Sequence, residues 1–262
     1  MSVSKLKFSL FASAALVAFA PLAAHAQLSF LVGNQQSVGL VRATVTGNTV
    51  SSAPVGTTAN RWINGMTRDA SNNIWFVGGT DTAAVLGRID PITGNTISQT
   101  VTPDAGYGIL GISFAPNGTL YAVRDEPSGP NSLGTLDPVT GAFTLIGSCN
   151  YADDIAFVGN TLYSMDRNWG LCTLSLTTGT ATDINPSVGG NGQRGMTYYN
   201  GVMYLCKTGL ETINLTTGVT TTIGTNAELG NLQGGIVFSA VPTPGAAALM
   251  GLGGLALARR RR

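Results

Sequence analysis

Histidine is almost missing. The chain of 262 residues holds one, His25, near its N-terminus. The remainder therefore lacks the group needed for Ser-His-Asp or Cys-His catalysis and for His-ligated zinc or iron. Charge is scarce too, at 10% of residues against about 25% in ordinary domains. Six of the fourteen basic side chains sit at the two ends, which leaves eight against thirteen acidic ones between them. That acidic middle argues against nucleic acid, which needs a basic footprint. The three cysteines, Cys149, Cys172 and Cys206, form no CxxC pattern. An odd count leaves at least one unpaired within a monomer. Bridging of Cys149–Cys172 or Cys172–Cys206 and burial as small hydrophobes are equally open readings. No glycine-rich loop runs from a strand into a helix, and Gly189-Gly190-Asn191-Gly192 reads as a flexible connection. Nucleotide binding has no support.

What is present begins with two address labels. Lys5 and Lys7 precede an uncharged run from Phe8 to Phe19, then Pro21 and Ala24-His25-Ala26. A basic start, a short apolar run and a small-x-small site make a signal peptide over 1–26, cut between Ala26 and Gln27. At the other end Val241-Pro242-Thr243-Pro244-Gly245 leads into an apolar stretch, Ala246 to Ala258, and then Arg259, Arg260, Arg261 and Arg262. A helix started by the prolines would be about 14 residues, or roughly 21 Å, and barely enters a bilayer. The arginines would stay on the cytoplasmic side. Residues 241–262 resemble the PEP-CTERM sorting signal. They depart from it at Thr243, where Glu is usual, and at Gly245, where Ala is more usual. The resemblance implies transient insertion in the inner membrane of a Gram-negative-type bacterium, recognition by an exosortase-like enzyme after signal peptidase has acted, and delivery to the cell surface or beyond.

Residues 27–240 repeat. Aromatics centre short apolar strands at Phe30, Trp75, Tyr121, Tyr163 and Tyr204, spaced 45, 46, 42 and 41 apart. Thr-Gly turns close other strands at Gly47, Gly94, Gly141, Gly179 and Gly218. Two are near copies, Leu86 to Gly94 and Leu133 to Gly141, each with Asp-Pro-x-Thr-Gly. A third column, Gly65-Met66, Gly111-Ile112, Asp154-Ile155, Gly195-Met196 and Gly235-Ile236, opens the strand before each aromatic one. Repeats of roughly 40–46 residues with four short strands are propeller blades. A four-stranded sheet has a face to bury, and a ring of sheets buries it. The expected fold is a five-bladed, all-β propeller, with Gly235 to Phe238 completing the first blade and removing an open edge. A sixth blade hidden in 47–73 and a β-sandwich are the alternatives. The blades resemble those of bacterial secreted propellers with Asp-Pro-x-Thr-Gly turns, which implies the fold alone.

Asp90 and Asp137 are explained by turn formation. The connections into each innermost strand converge on one mouth of a central channel. They carry Asn64, Asp153, Asp154, Gln193, Arg194 and Gln233, with Trp62 and Tyr107 nearby. Asp154 replaces the column glycine, so its carboxylate is expected at the axis, with Arg194 as a partner. Oxygens and amides gathered there can hold Ca²⁺ or a sugar. A self-paired, solvated mouth is the plainer expectation. Asp125-Glu126 and Asp166-Arg167 read as surface charge. The chain is accordingly expected to be a non-enzymatic, cofactor-free binder of matrix polysaccharide or surface protein, or a display module. A Ca²⁺-dependent hydrolase or lactonase, or a lectin, acting at the channel mouth is the alternative.

Overall fold

A computed structural model describes residues 28–33, 40–56, 63–80, 83–103, 108–190, 195–206, 209–225 and 235–238. The signal peptide, its cleavage residues Ala24, Ala26 and Gln27, and the sorting tail with its terminal arginines lie outside these residues.

Alternation of apolar and polar residues, broken by Gly- and Asn-centred turns, yields twenty strands among the described residues. β1 (Leu28–Gly33), β2 (Leu40–Thr46) and β3 (Thr49–Val55) begin the first blade. β4 (Ile63–Arg68), β5 (Ile74–Thr80), β6 (Ala83–Ile89) and β7 (Thr96–Val101) form the second. The third is β8 (Ile109–Phe114), β9 (Leu120–Arg124), β10 (Ser132–Leu136) and β11 (Phe143–Ser148). The fourth is β12 (Ala152–Val158), β13 (Thr161–Asp166), β14 (Gly170–Leu174) and β15 (Ala181–Asp183). The fifth is β16 (Gly195–Tyr199), β17 (Val202–Cys206), β18 (Leu210–Ile213) and β19 (Thr220–Gly224). β20 (Ile236–Phe238) returns to the first blade, giving five antiparallel four-stranded sheets with the order β20-β1-β2-β3 in the closing one. The ring is a five-bladed propeller. The seam is short: Phe30, Leu31 and Val32 pair with Phe238, Val237 and Ile236, and Gly33 N–H donates to the Gly235 carbonyl at 2.8 Å.

The outer turns follow from local chemistry. Asp90 Oδ1 accepts from Ile92 N and Thr93 N at 2.7 and 3.0 Å, and Asp137 Oδ1 from Val139 N and Thr140 N at 2.7 and 2.8 Å. These bonds pull both carboxyl pKa values down from their ordinary value. Gly94 and Gly141 close the turns at φ +72° and +71°, which a side chain resists. The looser copies work alike, with Asn214 Oδ1 accepting from Thr216 N and Thr217 N and Ser175 Oγ from Thr178 N.

Neighbouring blades meet through five apolar clusters. The aromatic column works as expected at Trp75, which meets Phe114 of the next blade edge-on at 5.9 Å, and at Tyr121, which meets Phe157 at 5.4 Å. Phe30 is a correction. It faces the preceding blade, where it lies 4.8 Å from Tyr204, while its neighbour Leu31 joins Met66, Ile74 and Phe76 of the following blade. A strand side chain that moves by one position changes face, so Phe30 belongs to the receiving side of an interface. All three cysteines are free and buried; burial pushes each thiol up to about 12. They serve as core hydrophobes, and the bridges are not made.

Candidate functional site

The inner strands β4, β8, β12, β16 and β20 surround the axis. They all run from one face, here the upper, to the other, the lower. Because neighbours are antiparallel, the upper face also carries the turns between second and third strands of each blade.

At the upper mouth three inner strands share a defect. Pairing slips between Ile63 and Gly65, between Ile109 and Gly111, and between Ala152 and Asp154. The extra residues are Asn64, Leu110 and Asp153. A bulge re-aims a side chain out of the alternating pattern. Asn64 uses its new direction to bind the next blade, with Nδ2 donating to the Ile109 carbonyl at 3.1 Å. Leu110 turns into the core.

Asp153 turns toward the second-to-third-strand turn of its own blade. Its Oδ1 accepts from Arg167 Nε at 2.6 Å. Its Oδ2 is buried and has no hydrogen-bond partner among the described residues. The residue is 5% exposed. Burial pushes its pKa up to about 7, assisted by Asp166 and Asp125, and Arg167 opposes the rise. An ion pair alone would push the other way. Desolvation wins because the second oxygen is buried without a donor among the described residues.

Asp154, expected to point to the axis, instead turns its carboxylate toward the next blade. Gly111 shows why the column is glycine: a Cβ there would lie 2.5 Å from Asp154 Oδ1. Asp154 is 2% exposed. Its Oδ1 accepts from Ile155 N at 2.9 Å and its Oδ2 from Met196 N of the next blade at 2.8 Å. Both oxygens are thus committed to the frame, and burial raises this pKa well above the ordinary carboxyl value. Asp154 is a cross-blade tie rather than a ligand for something in the channel.

Trp62, Tyr107, Gln193, Arg194 and Gln233 lie outside the described residues. The structure brings Asn64, Asp153 and Asp154 to one mouth and gives Asp153 Arg167 as its cation. The expectation that Asp166-Arg167 is surface charge is corrected. Asp166 is 1% exposed, and it accepts from Tyr151 N, Asn168 N and Trp169 N at 2.8 to 3.0 Å. It holds the turn that presents Arg167. Topology alone signals this, since both turns fall on one face of one blade. No group of three or more metal-competent side chains occurs among the described residues.

The lower mouth holds a cavity of about 430 Å³ at the opposite end of the channel from Asp153, with all five inner strands in its wall. Its lining includes Arg68, Phe114, Phe157, Tyr198, Tyr199 and the hydroxyls of Thr67, Ser113 and Thr197. Nothing in the sequence singled it out, because no one stretch contributes more than a few residues.

No family model and no curated protein matches the chain. Solved structures do. Virginiamycin B lyase from Staphylococcus aureus is 16% identical with a TM-score of 0.44, over 83% of this chain and 71% of its own. Glutaminyl cyclase from Myxococcus xanthus is 14% identical at 0.45, over 63% and 70%. The periplasmic gluconolactonase of Pseudomonas aeruginosa is 16% identical at 0.38, over 75% and 67%. Likeness of this order speaks of fold and assigns no activity. It does correct the expectation that this chain is not an enzyme. That expectation rested on the missing histidine and the few carboxylates at the mouth, yet the three similar structures are all of proteins named for catalysis. Asp153 also supplies a group that titrates near neutrality.

Proposed function

We propose that the chain is an exported hydrolase that works at the upper mouth of its ring. The observation that carries this reading is Asp153, a bulged, buried carboxylate with one oxygen on Arg167, the other without a partner among the described residues, and a pKa pushed up to about 7. A general base is most effective when its pKa lies near the working pH. Asp153 would take a proton from the attacking water, and Arg167 would hold the carboxylate in place. Asp166 and Asp125 repel anions from this mouth, so the fitting substrate is neutral, such as a sugar lactone or ester. Calcium would have to find its oxygens around Asp153, and adding it to the assay tests that directly.

The setting is proposed from the sequence at the two ends. The signal peptide over 1–26 directs export, and an exosortase-like enzyme processes the tail at Val241 to Gly245. The mature ring then meets matrix polysaccharide at the cell surface. The test is hydrolysis of a panel of neutral sugar lactones and esters between pH 5 and 9. The expected result is a rate that rises through about pH 7 and falls at least about 100-fold in Asp153→Asn. An Asp153→Asn protein that matches the wild type on every hydrolysed substrate, or a panel with no hydrolysis at all, overturns the proposal.

A further inference from the structure

The lower cavity lies at the other end of the channel from Asp153, and one side of it departs from the repeat. The five inner strands place Thr67, Ser113, Ala156, Thr197 and Val237 at one structural position. In the third blade Phe114 N donates to Thr67 Oγ1 of the second at 3.3 Å, and in the fourth Phe157 N donates to Ser113 Oγ of the third at 3.2 Å. A hydroxyl on one blade thus caps an inner-edge amide of the next. Tyr198 is the same residue of the fifth blade, because Tyr199 pairs with Val202 across a tight turn just as Val158 pairs with Thr161 in the fourth. Alternate residues of an antiparallel strand turn their amides to opposite edges. Met196 N, two residues before Tyr198, reaches Asp154 of the fourth blade. Tyr198 N therefore faces the fourth blade as well. There the capping hydroxyl is replaced by the methyl of Ala156.

A backbone amide left without an acceptor calls for one from outside the frame. Ala156 and Tyr198 both line the cavity of about 430 Å³, so a bound molecule can supply it. The rest of the wall narrows the choice. Thr67 Oγ1 and Ser113 Oγ each accept from a backbone amide already, and each keeps its proton to donate. Phe114 and Phe157 add apolar faces. None of the described lining residues is acidic, and Arg68 Nη1 is engaged with the Asn72 carbonyl at 3.3 Å. The complement is a neutral ring that carries hydroxyls and, beside them, a carbonyl ending in a small apolar group. An acetamido substituent has both parts: its oxygen accepts from Tyr198 N while its methyl lies on Ala156. A cavity of this volume has room for one sugar ring so substituted.

We infer that the lower mouth is a binding site for an N-acetylated amino sugar, whose acetamido carbonyl accepts from Tyr198 N, whose methyl rests on Ala156 and whose ring hydroxyls meet Thr67 and Ser113. A free N-acetylhexosamine and the end of a polysaccharide built from it offer the same chemistry. The site stands whether or not the upper mouth hydrolyses anything.

Calorimetric titration of the protein with N-acetylglucosamine, glucose and tri-N-acetylchitotriose tests this. N-acetylglucosamine should bind about tenfold or more tightly than glucose. Ala156→Ser supplies the missing hydroxyl to Tyr198 N and should shrink that preference to about twofold or less, with a melting temperature equal to or above that of the wild type. Should the serine variant fail to fold, Ala156→Thr installs the residue that the second and fifth blades carry at this position, and it should have the same effect on the preference. Trisaccharide binding at least as tightly as the monosaccharide identifies a chain end as the occupant; weaker binding or none identifies the free sugar. Equal affinity for N-acetylglucosamine and glucose, absence of binding by both, or a preference that survives in a folded Ala156→Ser or Ala156→Thr protein overturns the inference.

Discussion

The two ends of the channel use polar residues in opposite ways. At the upper mouth they are turned on the frame itself. Asn64 ties the second blade to the third, Asp154 ties the fourth to the fifth, and Asp166 braces the turn that carries Arg167. Asp153 keeps one oxygen without a partner among the described residues. At the lower mouth the backbone pairs regularly, and rings, hydroxyls and one guanidinium line open space. The difference teaches where crowding falls. Glycines let the inner strands close up at the top, and larger side chains hold them apart at the bottom.

The strongest way to break this contrast is Gly111→Val. The added carbons would meet Asp154 Oδ1 at 2.5 Å and its Cα at 2.6 Å, and part of that obstacle is backbone. Denaturant titration should show a loss of about 3 kcal/mol or more. A smaller loss would mean that the upper mouth is less tightly closed than described.

A second prediction concerns proton uptake. The folded pKa of Asp153, about 7, lies above its ordinary value of 3.8. Between those pH values the folded protein holds a proton that the unfolded chain releases. Stability from this group is therefore present below about pH 4 and lost as pH rises through about 7, by on the order of a few kcal/mol. Asp153→Asn should flatten that fall in a series of melting curves. An unchanged slope would place the carboxylate in a wetter setting than the structure shows.

The smallest effect sharpens the contrast from below. Arg68→Ala removes the bond from Arg68 Nη1 to the Asn72 carbonyl and should lower stability by no more than about 1 kcal/mol, read from melting curves. A larger loss would mean that arginine is there for the frame.

The ring itself was legible in the sequence because each blade repeats its turn chemistry. Asp90, Asp137, Ser175 and Asn214 occupy one place and accept the same kind of backbone bond, so even the degenerate copies announced themselves. The closing strand was legible for the same reason, through Gly235-Ile236. Phe30 misled because a column of aromatics says nothing about which face each one takes, and a displacement of one residue reverses it. The mouth was half legible. Connectivity brings Asn64, Asp153 and Asp154 together, but only the bulge separates the roles of two adjacent aspartates, sending one to Arg167 and locking the other in the frame. The lower cavity was not legible, since it exists only where the later halves of five strands meet.

The closing strand has a mechanical consequence. β20 runs downward and β1 starts below, so the chain leaves Phe238 on the same side on which Leu28 begins. A pull on whatever follows Phe238 reaches the Phe30–Phe238 pair first, then Leu31–Val237, then Val32–Ile236. Load arrives along the ladder's end and peels bonds singly instead of shearing them together. A ring tethered through its C-terminal side would yield at this three-pair seam before any complete blade came under tension, and the remaining sixteen strands of four intact sheets could hold their shape while the first blade opened.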